Sequence, residues 1–414
     1  MNDRQLKELL EKKGTPLYLF DAGQLRRRVQ TLRQALPSRV RLCYAVKANT
    51  FILKEMGGLV DRFEICSPGE LEICRKLRLP WEKFVISGVY KEPSLMRRLI
   101  SQEEAGGVYT VESMTQFSIL HEAAAKAKKK LPVLLRLTSG NQFGLDEAEI
   151  RGILAAHGDS TYLDIRGIQY FSGTQKSSIK RLKRELAAVD LFLETLYEQY
   201  GYQAKELEFG PGFPVSYFQG EPFAEASFLE QFSQLLEGMK FSGAITLELG
   251  RSIAASCGKY FTKVVDQKRN HSENYAIVDG GMHQLVYYGQ FMAMKHPYVR
   301  HIPSHTAAEA QEGEEEWNIC GSLCTVNDIL VKKIPLKNLQ IGDILQFENT
   351  GAYCITEGIS LFLSRDLPEV VLITEDGAAL TLRERVQTEV LNTPSNERKN
   401  KKRIEKRSRT SWKD

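Results

Sequence analysis

From about residue 40 to residue 250, short β-rich apolar runs alternate with amphipathic helical stretches, and no other feature limits the possible folds so strongly. The runs are RLCYAVKA from Arg41, RFEICS from Arg62, KFVISG from Lys83, GVYTVES from Gly107, PVLLRLT from Pro132, IRGIQYFSG from Ile165, ELEFGPGF from Glu206 and AITLELGR from Ala244. Helical patterns such as PGELEICRKLRL and IKRLKRELAAVDLFLETLYEQY separate them. Strands alternating with helices pair in parallel, because each crossover helix returns the chain to the same end of the sheet. Eight such units within about 210 residues match a closed (β/α)8 TIM barrel. The competing open, doubly wound sheet seldom uses eight uninterrupted units.

After Cys257 the rhythm changes to short strands divided by turn residues: KYFTKVVDQ, NYAIVDGG, DILVKKIPL, GDILQFEN, EVVLITEDG and ALTLRERV. This pattern predicts an antiparallel C-terminal β-barrel or sandwich domain. The expected division is an N-terminal segment 1–35 packing with the β domain, a barrel over 36–257, the β domain over 258–393, and a disordered basic tail over 394–414. SHTAAEAQEGEEE, from Ser304 to Glu316, reads as an exposed acidic loop.

Charge is unevenly spread. The chain carries a net +4, yet Asn396 to Asp414 holds nine Lys or Arg against three acids, which leaves the remainder near −2. The tail has too few apolar residues to fold alone, and the body gives no reason to expect nucleic acid. No apolar run reaches the roughly 18 residues of a membrane span, and MNDRQLKELLEKKG lacks the apolar centre of a signal peptide. Seven cysteines without regular spacing do not suggest a disulfide framework. A cytoplasmic protein with free thiols is the expectation. His283, His296, His301 and His305 fit no zinc spacing, so no metal is expected. Cys43, Cys66 and Cys74 lie in apolar settings and read as small core residues.

Three strand ends carry chemistry. Lys47 follows the apolar run Leu42–Val46, where it is either desolvated, which would lower its pKa and free the amine as a nucleophile, or a strand-end lysine snorkelling to water, and the strand alone favours neither. The eighth run ends in Glu248, then Gly250 and Arg251, and the seventh places Gly210 and Gly212 at its end. Active sites of such barrels gather at the C-terminal face, with phosphate held by the loops after strands seven and eight. Glycine lets backbone N–H groups approach a phosphate, and an arginine adds a bidentate grip. An amine, a phosphate cradle and a buried carboxylate are what pyridoxal 5′-phosphate requires.

The stretches YAVKAN (44–49), FEICSPGEL (63–71), FSGTQ (171–175), FGPGF (209–213), ELGR (248–251), VDGGM (278–282), GSLCTVND (321–328) and GAY (351–353) run in one order over about 310 residues. In these motifs the chain resembles the fold-type-III pyridoxal-phosphate-dependent decarboxylases, the ornithine/diaminopimelate decarboxylase family. The resemblance implies an alanine-racemase-like barrel with a β domain, working as a head-to-tail homodimer with shared active sites. It implies that Lys47 carries the cofactor, that Glu248 partners the ring nitrogen, and that Arg251, Thr174 and Tyr353 contact the phosphate. Phe171 stands where the family usually stacks a histidine on the pyridine ring. Cys324 is implied as the proton donor, reaching the partner subunit's site together with Asp328, and Glu64 as the acid near the lysine.

Departures from the family pattern bear on the substrate. Thr325 follows Cys324 where enzymes acting on diaminopimelate or ornithine carry an acid that reads the distal amino group. Tyr287 occupies the place of an expected arginine, and RLTSGNQF (136–143) is shorter than the diaminopimelate pattern. The Cys-Thr pair looks closer to the butirosin-pathway branch, which decarboxylates a glutamyl group held on an acyl carrier protein. Expected partners are therefore a small or carrier-bound amino acid and a second copy of the chain. Other readings are a free diamino acid decarboxylase, an amino-acid racemase, and a catalytically inactive binding homologue. Racemases of this type pair the ring nitrogen with arginine rather than a carboxylate, and inactive homologues lose cofactor contacts that this chain keeps.

Overall fold

The structure is a computed structural model, and it describes residues 2–102, 106–221, 223–304 and 313–395. The basic tail from Asn396 and His305 lie outside the described residues. The chain divides into two compact units. One comprises Ala22–Ser216 and Glu221–Ser256; the other comprises the segment ending at Asp21, Tyr217–Gly220 and the chain from Cys257 onward.

The N-terminal segment is therefore split after Asp21, rather than grouped as a whole up to residue 35. Strand β1 (Leu17–Asp21) is a strand of the β unit. The helix that follows it, Ala22–Ala35, belongs to the barrel unit.

The barrel unit closes eight parallel strands: β2 (Val40–Ala45), β3 (Arg62–Ile65), β4 (Phe84–Ile86), β5 (Val108–Val111), β6 (Leu131–Leu137), β7 (Leu163–Phe171), β8 (Glu206–Gly210) and β9 (Ala244–Leu249). Closure is made by β2 against β9, with Val40 opposite Ile245 and Tyr44 opposite Leu249. The strands read as continuous buried runs because parallel strands are covered on both faces. All five residues of β8 are buried, for example, and all four of β5. Arg62 enters this interior only with a partner, giving Nη2 to Glu206 at 2.7 Å, since a buried unpaired charge is strongly unfavourable.

The β unit holds a nine-stranded sheet. It contains β10 (Gly258–Asn270), β11 (Glu273–Val278), β12 (Val299–Ile302), β13 (Glu314–Cys320), β14 (Ile329–Lys337), β15 (Ile344–Phe347), β16 (Glu369–Ile373) and β17 (Ala379–Arg383), with β1 between β10 and β16. Most pairs are antiparallel, but β1 runs parallel to β16 and β11 parallel to β13. Leu6 and Leu10 from the helix Asp3–Lys13 pack with Leu17, Leu19, Phe261, Ile302, Val371 and Ile373 into one apolar cluster. The acidic segment expected as a loop to Glu316 ends earlier, because Glu314–Glu316 already belong to β13 and lie opposite Lys337, Leu336 and Pro335 of β14.

Candidate active site

Lys47 sits in the single tight turn Val46–Ala48 that continues β2 past the C-terminal end of the barrel. The two neighbours of β2 set its surroundings. Register places Ala45 opposite Glu64 of β3 and Cys43 opposite Glu248 of β9, so one carboxylate stands on each side of the lysine. Nζ is hydrogen-bonded to Glu64 Oε2 and donates to Glu248 Oε1 at 3.3 Å. The Glu64 and Glu248 side chains are 4% and 9% exposed, whereas that of Lys47 is 39% exposed. Of the two readings of Lys47, the strand-end lysine reaching for water is the one found. The lysine reaches past the strand end towards open space, and its carboxylate partners are the buried groups.

The two carboxyls are held in opposite protonation states. Burial works against ionisation of Glu64, but the Lys47 ammonium, with hydrogen bonds from Glu248, Lys47 and Cys66, outweighs it and keeps the group below the usual carboxylate range. Burial, followed by the charge of Glu64, pushes Glu248 upward. Two like charges this close in a low-dielectric interior cannot both persist, so one carboxyl keeps a proton.

Cys66 belongs to this cluster, contrary to its reading as a core residue. Its thiol donates to Glu64 Oε1 at 3.0 Å and lies 3.8 Å from Lys47 Nζ. Burial pushes the thiol well above its usual range, which keeps it a donor. The signal was in the sequence, since residues two apart on a strand share a face and Cys66 follows Glu64 by two. Cys43 and Cys74 are fully buried core residues, as expected.

Around the ends of β7 and β8 the expected phosphate-contacting residues come together. Arg251 Nε donates to Thr174 Oγ1 at 3.3 Å. Gly210 admits the Phe171 ring against its backbone, where an added Cβ would strike the ring. Gly212, at φ +60°, packs on the Gly173 carbonyl, and an added Cβ would collide with that oxygen. Only glycine meets both demands at residue 212. The N–H groups of Gly173, Thr174, Gly212 and Phe213 donate to no protein acceptor among the described residues. Gln175, the last residue of the FSGTQ motif, braces these loops together with Lys176 and Glu185, which in the sequence look like ordinary polar residues near a helix start.

The remaining expected residues lie in the β unit. Tyr353 occupies a turn at φ +65°. Cys324 is exposed on the segment between β13 and β14, and Thr325 beside it is half-buried. Asp328, expected to reach the partner subunit's site, is 2% exposed within this chain, and both its oxygens are engaged, which makes it an anchor for its own segment. Oδ1 accepts the Met282 N–H at 2.7 Å and Oδ2 the Leu323 N–H at 2.8 Å. Tyr287, in the place of the expected arginine, lies among aromatic residues of the β unit. It is buried beside Tyr217 and Phe218, and its hydroxyl donates to the Glu348 carbonyl at 2.5 Å. Of the histidines, His296 pairs with the Lys332 carbonyl and His301 with Asp343.

Pyridoxal 5′-phosphate asks for an amine, an acid able to share a proton, and donors for a phosphate. Lys47, the proton-holding Glu248, and a cradle of unclaimed N–H groups beside Arg251 and Thr174 answer each demand, so the residues fit the group.

Comparisons with known proteins agree. The profile of a family described as pyridoxal-dependent decarboxylase, C-terminal sheet domain, matches residues 17–351. A diaminopimelate decarboxylase from Aquifex aeolicus is 29% identical, with 94% of each chain covered. An L-glutamyl-[BtrI acyl-carrier protein] decarboxylase from Niallia circulans is 26% identical, covering 90% of this chain and 92% of that one. The crystal structure of an Aquifex aeolicus protein superposes with a TM-score of 0.79 at 28% identity, over 93% of this chain and 92% of the other. Since the matched stretch takes in the barrel and most of the sheet, the chain belongs to the pyridoxal-dependent decarboxylases and is an enzyme whose cofactor is pyridoxal 5′-phosphate.

Proposed function

We propose that the chain removes the carboxyl group of an amino acid that lacks a free charged distal amine, such as a glutamyl group tethered to an acyl carrier protein. The observation that carries the decarboxylase chemistry is the Lys47 amine set between one ionised and one proton-holding carboxyl. Bound pyridoxal phosphate supplies an electron sink for the pair left at Cα when CO2 departs. Lys47 is the residue that carries the cofactor. Glu248 keeps a proton that it is able to share with a ring nitrogen, and burial maintains that proton near neutral pH. Glu64 stays ionised and holds the lysine in place, and the Cys66 thiol steadies Glu64. Phe171 offers an aromatic face without a titratable nitrogen, and Gly210, Gly212, Thr174 and Arg251 receive the phosphate. The motifs add Tyr353 as a phosphate ligand and Cys324 as proton donor in a homodimer.

Two features support the substrate reading. Thr325 stands where the resemblance expects an acid, and Tyr287 has its hydroxyl committed inside the β unit, with no cationic group to offer. The Niallia relative, which acts on a carrier-linked glutamyl group, is in keeping with it. The second reading, a free diamino acid, is favoured by the Aquifex relative. A CO2-release screen over free diaminopimelate, ornithine, lysine, glutamate and carrier-linked glutamate separates them. Release from the tethered substrate alone supports the proposal, and efficient turnover of free diaminopimelate overturns it.

A further inference from the structure

Beneath the phosphate cradle lies a buried ion pair that the chemistry above does not use. The Lys176 side chain is 0% exposed. Its Nζ donates to Glu185 Oε2 at 2.7 Å, to Ser172 Oγ at 2.9 Å and to the Gly210 carbonyl at 3.4 Å. Its own backbone N–H donates to the Gly212 carbonyl at 2.9 Å. One residue thus touches Ser172 just past β7, Gly210 at the end of β8 and Gly212 just beyond it. Arg181 completes the network, giving Nε to Glu185 Oε1 at 2.9 Å and Nη2 to the Ser172 carbonyl at 3.0 Å.

The carbonyls held in this way matter for what lies opposite them. In a trans peptide the C=O and the following N–H point in opposite directions. Arg181, anchored by Glu185, holds the Ser172 carbonyl and so turns the Gly173 N–H the other way, and the Lys176 backbone N–H, whose side chain is fixed on Ser172 Oγ and Gly210, holds the Gly212 carbonyl and does the same for Phe213. These are two of the N–H groups that no protein acceptor among the described residues claims. An ammonium with three donors finds three acceptors here, so the pair is fully satisfied. Yet a buried pair contributes little net stability compared with an apolar replacement of similar volume. A role in aiming the loops explains its presence better than a role in holding the barrel together.

We infer that the buried Lys176–Glu185 pair is a positioning element for the two glycine loops: Lys176 Nζ fastens Ser172 Oγ and the Gly210 carbonyl, and Glu185 anchors the Arg181 that holds the Ser172 carbonyl, so that the loops' unclaimed N–H groups face the cofactor's phosphate. This rests on the reading above that those loops hold the phosphate. Lys176 itself touches neither phosphate nor substrate in this scheme.

The test is a titration of cofactor-free protein with pyridoxal 5′-phosphate and, separately, with pyridoxal, which has the same aldehyde and ring but no phosphate. Wild type is compared with the double variant K176M/E185L, which removes the pair as a unit, and with S172A, which removes one lysine acceptor at little risk to folding. Thermal melts of the cofactor-free proteins verify the fold. The double variant is expected to bind pyridoxal phosphate roughly 10–100-fold more weakly, the scale of a lost charge-assisted hydrogen bond. S172A is expected to lose several-fold, and in both variants pyridoxal affinity stays within about threefold of wild type. A phosphate-selective loss in either folded variant supports the inference. Equal losses for both aldehydes, or no loss in the folded variants, overturn it. A wild type that binds pyridoxal as tightly as pyridoxal phosphate sinks the cradle reading itself, before Lys176 is at issue.

Discussion

Lys47 and Lys91 share one barrel unit, and the pair shows why residue chemistry alone is a poor guide to the reactive amine. Lys91 is buried, with Nζ on the Gly88 carbonyl, Thr110 and Gln116 at 3.0–3.2 Å, and burial pulls its pKa down to about 8. That is the environment a desolvated Lys47 would have had. Lys47 was legible through its motif and its place after the first barrel strand, not through desolvation. Cys66 was legible from its spacing to Glu64, but an apolar neighbourhood in sequence masked it. At this scale two outcomes are expected. E248Q keeps the size of the side chain and loses the shareable proton, so kcat should fall about 100-fold or more with cofactor still bound, as single-turnover kinetics would measure. C66V removes a donor to Glu64 and raises that carboxyl's pKa. The acidic limb of the kcat/KM profile should therefore move to higher pH, and C66S should move it back; an unchanged limb in C66V contradicts the role.

The elements were read with uneven success, for reasons of pattern. Eight buried parallel strands leave eight apolar runs, and all eight appear in the barrel. The strand β13 was missed because Glu314–Glu316 are exposed and charged, and only Trp317–Ile319 are buried. The pairing of β1 with β16 joins segments more than 340 residues apart in sequence, which no local signal announces. The segment Gly321–Asp328 was recognised as a motif, but its internal logic emerges only in three dimensions. An added Cβ at Gly281 or Gly321 would meet the Asp328 carboxylate, so these glycines make room for the anchor. D328A leaves two N–H groups without their acceptor and should cost about 1–3 kcal/mol in denaturant unfolding. A loss below a few tenths would show that the anchor is dispensable. On the barrel, G212A forces a non-glycine residue into φ +60° against the Gly173 carbonyl. Cofactor affinity should drop well beyond the effect of an exposed loop substitution, as titration with pyridoxal phosphate would show.

For the whole molecule, the barrel unit carries Lys47, Glu64, Glu248 and the glycine loops, while the β unit carries Cys324 and Tyr353. The described residues include no helix long and apolar enough to cross a membrane. In the β unit His283 is buried, and burial, then the charge of Arg365, lowers its pKa to about 4. Unfolded, it would bind a proton near pH 6.5. Between those values the unfolded chain takes up a proton that the folded chain refuses, so its contribution is full above about pH 6.5 and lost as pH falls towards 4. H283N should flatten that stretch of the melting-temperature profile, by an amount on the order of 1–3 kcal/mol. The central claim, that Lys47 is the amine joined to the cofactor, is tested most directly by reducing the loaded protein with borohydride and mapping the pyridoxyl label by peptide mass spectrometry. The label is predicted on the peptide containing Lys47, and K47A should abolish it. A label on Lys91 or Lys176, or one that survives K47A, would contradict the account.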